Sequence, residues 1–152
     1  MTVRVERAFE LDVPPERVWE FIADPANRAR AIRVVVDFEV DPTDESRLTW
    51  HVELPIPFVS RTAAVETRDR RREPPNFVEF TGRSSVMDVT GSHEITETET
   101  GSRVANRFVV DGRVPGVERY FRKQLDAELE NLRRAAERDI AAASSREGSR
   151  DE

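Results

Sequence analysis

Residues 115–142 carry the one long helical pattern of the sequence, and that pattern constrains what the rest of the chain can become. Val117, Phe121, Leu125, Leu129, Leu132, Ala136 and Ile140 recur at spacings of three and four, with Tyr120 beside them. Such spacing draws one apolar stripe down an α-helix. The intervening positions are mostly Arg, Glu, Asp, Lys and Gln, which solvate the opposite face. Pro115 suits the first helical position, where a missing N–H costs nothing. The helix would span roughly 40 Å at 1.5 Å per residue. A one-faced helix of that length needs a broad apolar partner, and the upstream segments must supply it.

Those segments read as strands. Val3, Val5, Phe9 and Leu11 alternate with Arg4, Glu6, Glu10 and Asp12, the signature of a half-buried strand. Arg7 breaks the alternation and predicts a bulge or an edge position. Pro14-Pro15 ends the strand, and two short helices follow, with Asp24-Pro25 as N-cap and first residue of the second. A run of five or six strands comes next: 34–40, 48–54, 63–67, 77–80, 85–97 and 103–110. The charged stretch 68–73 leads to the turn Pro74-Pro75 and reads as a solvated hairpin edge. Gly91, in mid-strand, predicts a bend or a close backbone approach.

Short turns between consecutive strands make an antiparallel meander with one dry face. The expected fold is α+β: a curved sheet of six to seven strands gripping the long C-terminal helix, with a hollow between them. One domain is expected over residues 1–143 and a disordered polar tail over 144–152.

Composition excludes several classes of function. There is no cysteine, so disulfides, thiol nucleophiles and cysteine metal sites are ruled out. A reducing cytoplasm is compatible and is the expected location. No apolar run approaches the ~20 residues that span a bilayer, so no integral membrane segment is expected. The net charge of −6 argues against nucleic acid as a partner. Arg70, Arg71 and Arg72 lack the interleaved aromatics that stack bases. Of 24 basic residues only Lys123 is lysine, which suits a GC-rich genome or the high-salt cytoplasm of a haloarchaeon.

Four pieces of the chain carry a resemblance. Phe9-Glu10-Leu11-Asp12-Val13-Pro14-Pro15-Glu16-Arg17-Val18-Trp19 is similar to a first strand, proline and "VW" helix start. Asp24-Pro25 resembles the helix break that follows. Gly101-Ser102-Arg103-Val104 resembles a last hairpin, and the stretch from Pro115 to Leu132 a closing helix. Together they resemble the START/Bet v 1-like (SRPBCC) superfamily of polyketide cyclases and lipid-transfer domains, near the carbon monoxide dehydrogenase branch. The resemblance covers roughly residues 2–140. It implies the helix-grip fold and an apolar ligand: a lipid, isoprenoid, polyketide or aromatic compound.

The catalytic inventory is thin: two histidines, one tyrosine and one lysine. His51 shares a face with Thr49 and Glu53 and is expected to face solvent. His93 shares one with Met87, Val89 and Ile95 and is expected to face inward, as an interior hydrogen-bonded residue or as a base. Asn106 is the second inward polar residue. Pro55-Ile56-Pro57-Phe58 is an apolar connection where turns are usually polar, and reads as a packed turn or as a flap over the hollow. The expected cavity lining is Trp50, Val52, Phe58, Val65, Met87, Val89, His93, Asn106, Phe108, Tyr120, Phe121 and Gln124. The chain reads as a non-catalytic binder or carrier, a monomer or weak homodimer, with no metal and no cofactor. The rivals are a cyclase or dehydratase with His93 as base and Asn106 or Tyr120 as orienting group, and a non-enzymatic interaction module.

Overall fold

A computed structural model describes residues 2–56 and 62–150, the last seven by backbone alone. The elements run β1 (Thr2–Leu11), α1 (Pro15–Ile22), α2 (Pro25–Ala31), β2 (Val35–Asp41), β3 (Asp44–Val52), β4 (Ala63–Glu73), β5 (Phe77–Arg83), β6 (Met87–Glu97), β7 (Ser102–Gly112) and α3 (Val117–Arg150). The strands form one antiparallel sheet in the order β1-β7-β6-β5-β4-β3-β2. Consecutive strands pair as a meander, and β1 closes onto β7, so the sequence-predicted helix-grip architecture is the one observed. Trp50, Val65, Met87, Val89, Phe108 and Val110 from the sheet share one buried cluster with Phe121, Leu125 and Leu129 from α3.

Local chemistry explains most boundaries. The Asp24 side chain accepts the Ala26 N–H at 2.9 Å and caps α2, with Pro25 behind it. Arg7 is exposed on β1, an edge strand paired to β7 without a register shift, so its place on the apolar side reflects the edge and not a bulge. There it pairs with Asp126 of α3 at 2.9 Å.

Two expectations are corrected. The long helix begins at Val117 rather than Pro115, because Gly116 takes a left-handed φ of +97° that ends the preceding turn. Strand β4 continues through the charged stretch to Glu73, with a register shift between Asp69 and Arg71. The backbone of α3 runs on to Arg150, so the expected boundary after Ala143 falls inside a helix. Pro57 and Phe58, half of the proposed flap, lie outside the described residues, as do Asp151 and Glu152. Ile56, at the near end of that turn, packs against the main core.

Candidate functional site

The interior is organised around the ring of Phe80 on β5. It lies against Gly91 of β6, its cross-strand partner, where a Cβ would come within 2.4 Å of the ring. The glycine is the close approach that Phe80 requires. Around the ring stand Trp50 of β3 at 5.7 Å between centroids, Phe108 of β7 at 6.1 Å, and His93 of β6 at 6.4 Å, nearly parallel to it. The Arg28 guanidinium of α2 lies 5.2 Å from the same centroid.

His93 is buried, and its tautomer follows from its neighbours. Asn106 is its cross-strand partner on β7, and Asn106 Oδ1 lies 2.7 Å from His93 Nδ1. The Asn106 amide nitrogen donates to two carbonyls, Arg7 O at 3.1 Å and Val104 O at 3.3 Å. Two carbonyls can only be met by the NH2 end, so the amide orientation is fixed and Oδ1 must face the imidazole. Nδ1 therefore carries the proton, and Nε2 presents a lone pair. Burial, reinforced by the Arg28 charge and opposed by the Asn106 hydrogen bond, pushes the His93 pKa down to about 4. The ring is neutral at ordinary pH.

Sequence reading missed Arg28. It is 4% exposed and donates through Nη2 to both Asp69 oxygens, at 2.7 and 2.9 Å. Asp69 comes from β4, just before the register shift, and its second partner is Arg72 at 2.9 Å. Arg72 continues to Ala23 O and lies over Trp19, tying the sheet to α1. Burial lowers the Arg28 pKa and Asp69 opposes that. Three buried polar atoms around Phe80 have no hydrogen-bond partner among the described residues: Arg28 Nε, Trp50 Nε1 and His93 Nε2. Each such orphan costs about 1–3 kcal/mol.

Between sheet and α3 lies a void of about 40 Å³ with almost wholly apolar walls. Seven of the residues expected to line it do so: Trp50, Val52, Met87, Val89, His93, Phe108 and Phe121. Four do not. Val65 is walled off in the core beside Gly82, whose missing side chain leaves room for Val65 and Val89. Asn106 stands behind His93. Tyr120 is half-buried and packs edge-on against Phe121 at 5.3 Å, its phenol pKa raised by that burial and by Glu128. Gln124 is exposed. Phe58 lies outside the described residues. His51, expected to face solvent, is about one-third exposed and sits 3.5 Å from Glu39.

Three further lining residues, Ile32, Val34 and Glu128, meet at one latch. Glu128 of α3 is buried and accepts the backbone N–H of Arg33 at 2.6 Å. Burial raises its pKa, and the Arg33 N–H and charge oppose the shift. Arg33 stands between Ile32 and Val34, which both line the void. Among the described lining residues Ile32 alone is half-buried rather than buried, so the wall is thinnest there. Among the described residues no group of three or more His, Asp or Glu is placed to hold a metal, and no helix is long and apolar enough to cross a membrane.

No protein of curated function matches the chain in sequence. Solved structures share its fold. A conserved protein from Geobacillus kaustophilus superposes with a TM-score of 0.71 at 15% identity, over 93% of this chain and 97% of that one. A START superfamily protein from Mycobacterium smegmatis gives 0.69 at 12% identity, over 92% and 98%. The ZhuI aromatase/cyclase from Streptomyces sp. R1128 gives 0.65 at 16% identity, over 94% and 98%. In sequence, residues 2–137 match the family model described as polyketide cyclase/dehydrase and lipid transport, and it is to this family that the chain belongs.

Proposed function

We propose that the protein binds a small, mostly apolar molecule bearing an oxygen function, in the interior between the sheet and α3. The observation that carries this reading is the cluster of three orphaned polar atoms around Phe80, beside an otherwise apolar void. Buried polar atoms are nearly always paired, and a ligand oxygen would pair these. The fold family is one of ligand-binding domains, which supports the same reading.

The void of about 40 Å³ has room for a few waters, far below the ~300 Å³ of a usual ligand pocket. Binding therefore requires side chains to move. Met87, unbranched and on the wall, is the easiest to displace. The seam between Ile32–Val34 and α3 is the proposed way in. Compact ligands are favoured over long-chain lipids, because each added carbon displaces more of a packed core.

The second reading is catalytic. A neutral His93 Nε2 lone pair beside the Arg28 cation is what a general base and its electrostatic partner require. The test of the first reading is mass spectrometry of organic extracts from the purified protein, with titration against compact apolar compounds followed by Trp50 fluorescence in a Trp19→Phe background. Binding that is weakened by Arg28→Met supports the reading. An empty extract together with no spectral change across the panel overturns it.

A further inference from the structure

The orphaned atoms form a pattern that specifies more than "an oxygen". Arg28 Nε and Trp50 Nε1 are donors, because neither group can accept. His93 Nε2 is an acceptor, because Asn106 holds the proton on Nδ1. An occupant that satisfies all three must offer one donor and two acceptor lone pairs. A protonated carboxyl group does so: its O–H meets Nε2 and its carbonyl oxygen takes the two N–H groups. A bare carboxylate does not, since it sets a lone pair against that of Nε2.

The charges around the site favour a neutral acid over its anion. On the α2 and β4 side Arg28 and Arg72 share the Asp69 carboxylate, and Asp24 also faces Arg28, so cations and carboxylates balance. What this side offers is the unpaired Arg28 Nε–H, a donor for a carbonyl oxygen. On the α3 side the buried Glu128 carboxylate opposes a free anion. The other elements against His93 present no charge: β5 gives Phe80, and β7 gives Phe108 and Asn106. Through Asn106, β1 contributes only the Arg7 carbonyl.

We infer that the site takes a compact hydrophobic carboxylic acid together with its proton, held between His93 Nε2 on one side and Arg28 Nε and Trp50 Nε1 on the other. This rests on the binding reading above and names its ligand class. The proton count is the same whether the proton stays on the acid or passes to His93. Either way, above the acid's own pKa the complex takes up one proton that the free partners lack. Affinity then falls about tenfold per pH unit as pH rises, for as long as the complex keeps that proton.

The experiment compares benzoic acid, benzyl alcohol and toluene by calorimetry from about pH 6 to about pH 8, each in two buffers of different ionisation enthalpy. The expected result is that benzoic acid binds tightest at the low end, with about one proton taken up and a loss of about tenfold per pH unit. The alcohol should bind more weakly, with no pH slope. His93→Leu, checked for an unchanged melt, lacks the acceptor, and it should bind the acid with no proton uptake and a flat pH profile. Wild type binding benzoate with a flat profile, or binding the alcohol or toluene as tightly as the acid, overturns the proton-coupled acid while leaving the binding reading standing. No binding of any of the three, at any pH tried, overturns the acid and counts against the binding reading itself.

Discussion

His93 and Asn106 are cross-strand partners on β6 and β7, and a 2.7 Å hydrogen bond joins their side chains in the middle of the core. The amide does not compensate a charge, so the ring stays neutral. Its folded pKa of about 4 lies below the ordinary 6.5. Between those values the unfolded chain binds the proton that the folded one refuses. The contribution of this neutral ring is therefore complete above about pH 6.5 and is lost as pH falls towards 4. The difference amounts to roughly 3 kcal/mol at 1.36 kcal/mol per pKa unit. Urea unfolding at a series of pH values checks it, with His93→Leu expected to remove this part of the acid sensitivity. NMR resonances of His93 that titrate near 6.5 in the folded protein would sink the prediction.

The ion cluster under Phe80 makes an asymmetric prediction. Asp69→Ala leaves Arg28 buried without its partner and should cost about 3–5 kcal/mol. Arg28→Met should cost clearly less. Asp69 keeps Arg72 at 2.9 Å, and the thioether side chain fills the guanidinium's place without a charge to solvate. Denaturant unfolding of the two variants gives the comparison. Equal losses would show that the pair contributes through packing alone.

How much of this was visible in the sequence depended on the range of the interaction. His93 and Asn106 were legible because period-two alternation fixes each strand's face and hairpin order makes the two strands neighbours. The helix stripe from Val117 to Ala136 was legible for the same kind of reason, and it buries as read. Gln124 does not line the void. It lies one step off the Phe121–Leu125–Leu129 row and turns to solvent. Arg28 was illegible: an arginine in a short Ala- and Arg-rich helix looks solvated, and its partner is 41 residues away. That partner, Asp69, sits among arginines in a stretch read as a solvated edge. Asp69 turns inward just before the β4 register shift, which alternation could not anticipate. A single acid inside a run of arginines was the available signal, and it was a weak one. The filled interior was also beyond reach, because void volume depends on rotamers and not on residue pattern.

Gly91 should tolerate no side chain. A Cβ there would meet the Phe80 ring at 2.4 and 2.5 Å and Phe108 at 3.1 Å, against atoms fixed in a packed cluster. Gly91→Ala is expected to destabilise by about 1–3 kcal/mol through overpacking. The double variant Gly91→Ala/Phe80→Leu should recover part of that loss, beyond what the two single changes predict by addition. Additive thermal shifts would mean that the strain lies elsewhere.

The latch at Glu128 gives the last prediction. Arg33 lies in the connection between α2 and β2 and is itself exposed, a place where backbone amides ordinarily exchange fast. Its N–H nevertheless donates to the buried Glu128 carboxylate at 2.6 Å, which holds the Ile32–Val34 wall against α3. A hydrogen bond to a charged group is worth about 1.5–3 kcal/mol, so the Arg33 amide should be protected and Glu128→Ala should speed its exchange roughly ten- to hundredfold. Glu128→Gln keeps an acceptor oxygen and should restore most of the protection. Burial raises the Glu128 pKa, so acidification should loosen the same contact at a pH above the ordinary carboxylate range. Amide exchange by NMR reads all three effects at one residue. An Arg33 amide that exchanges at the unprotected rate in the wild type would show that the seam is already open, and that Glu128 does not govern passage to the interior.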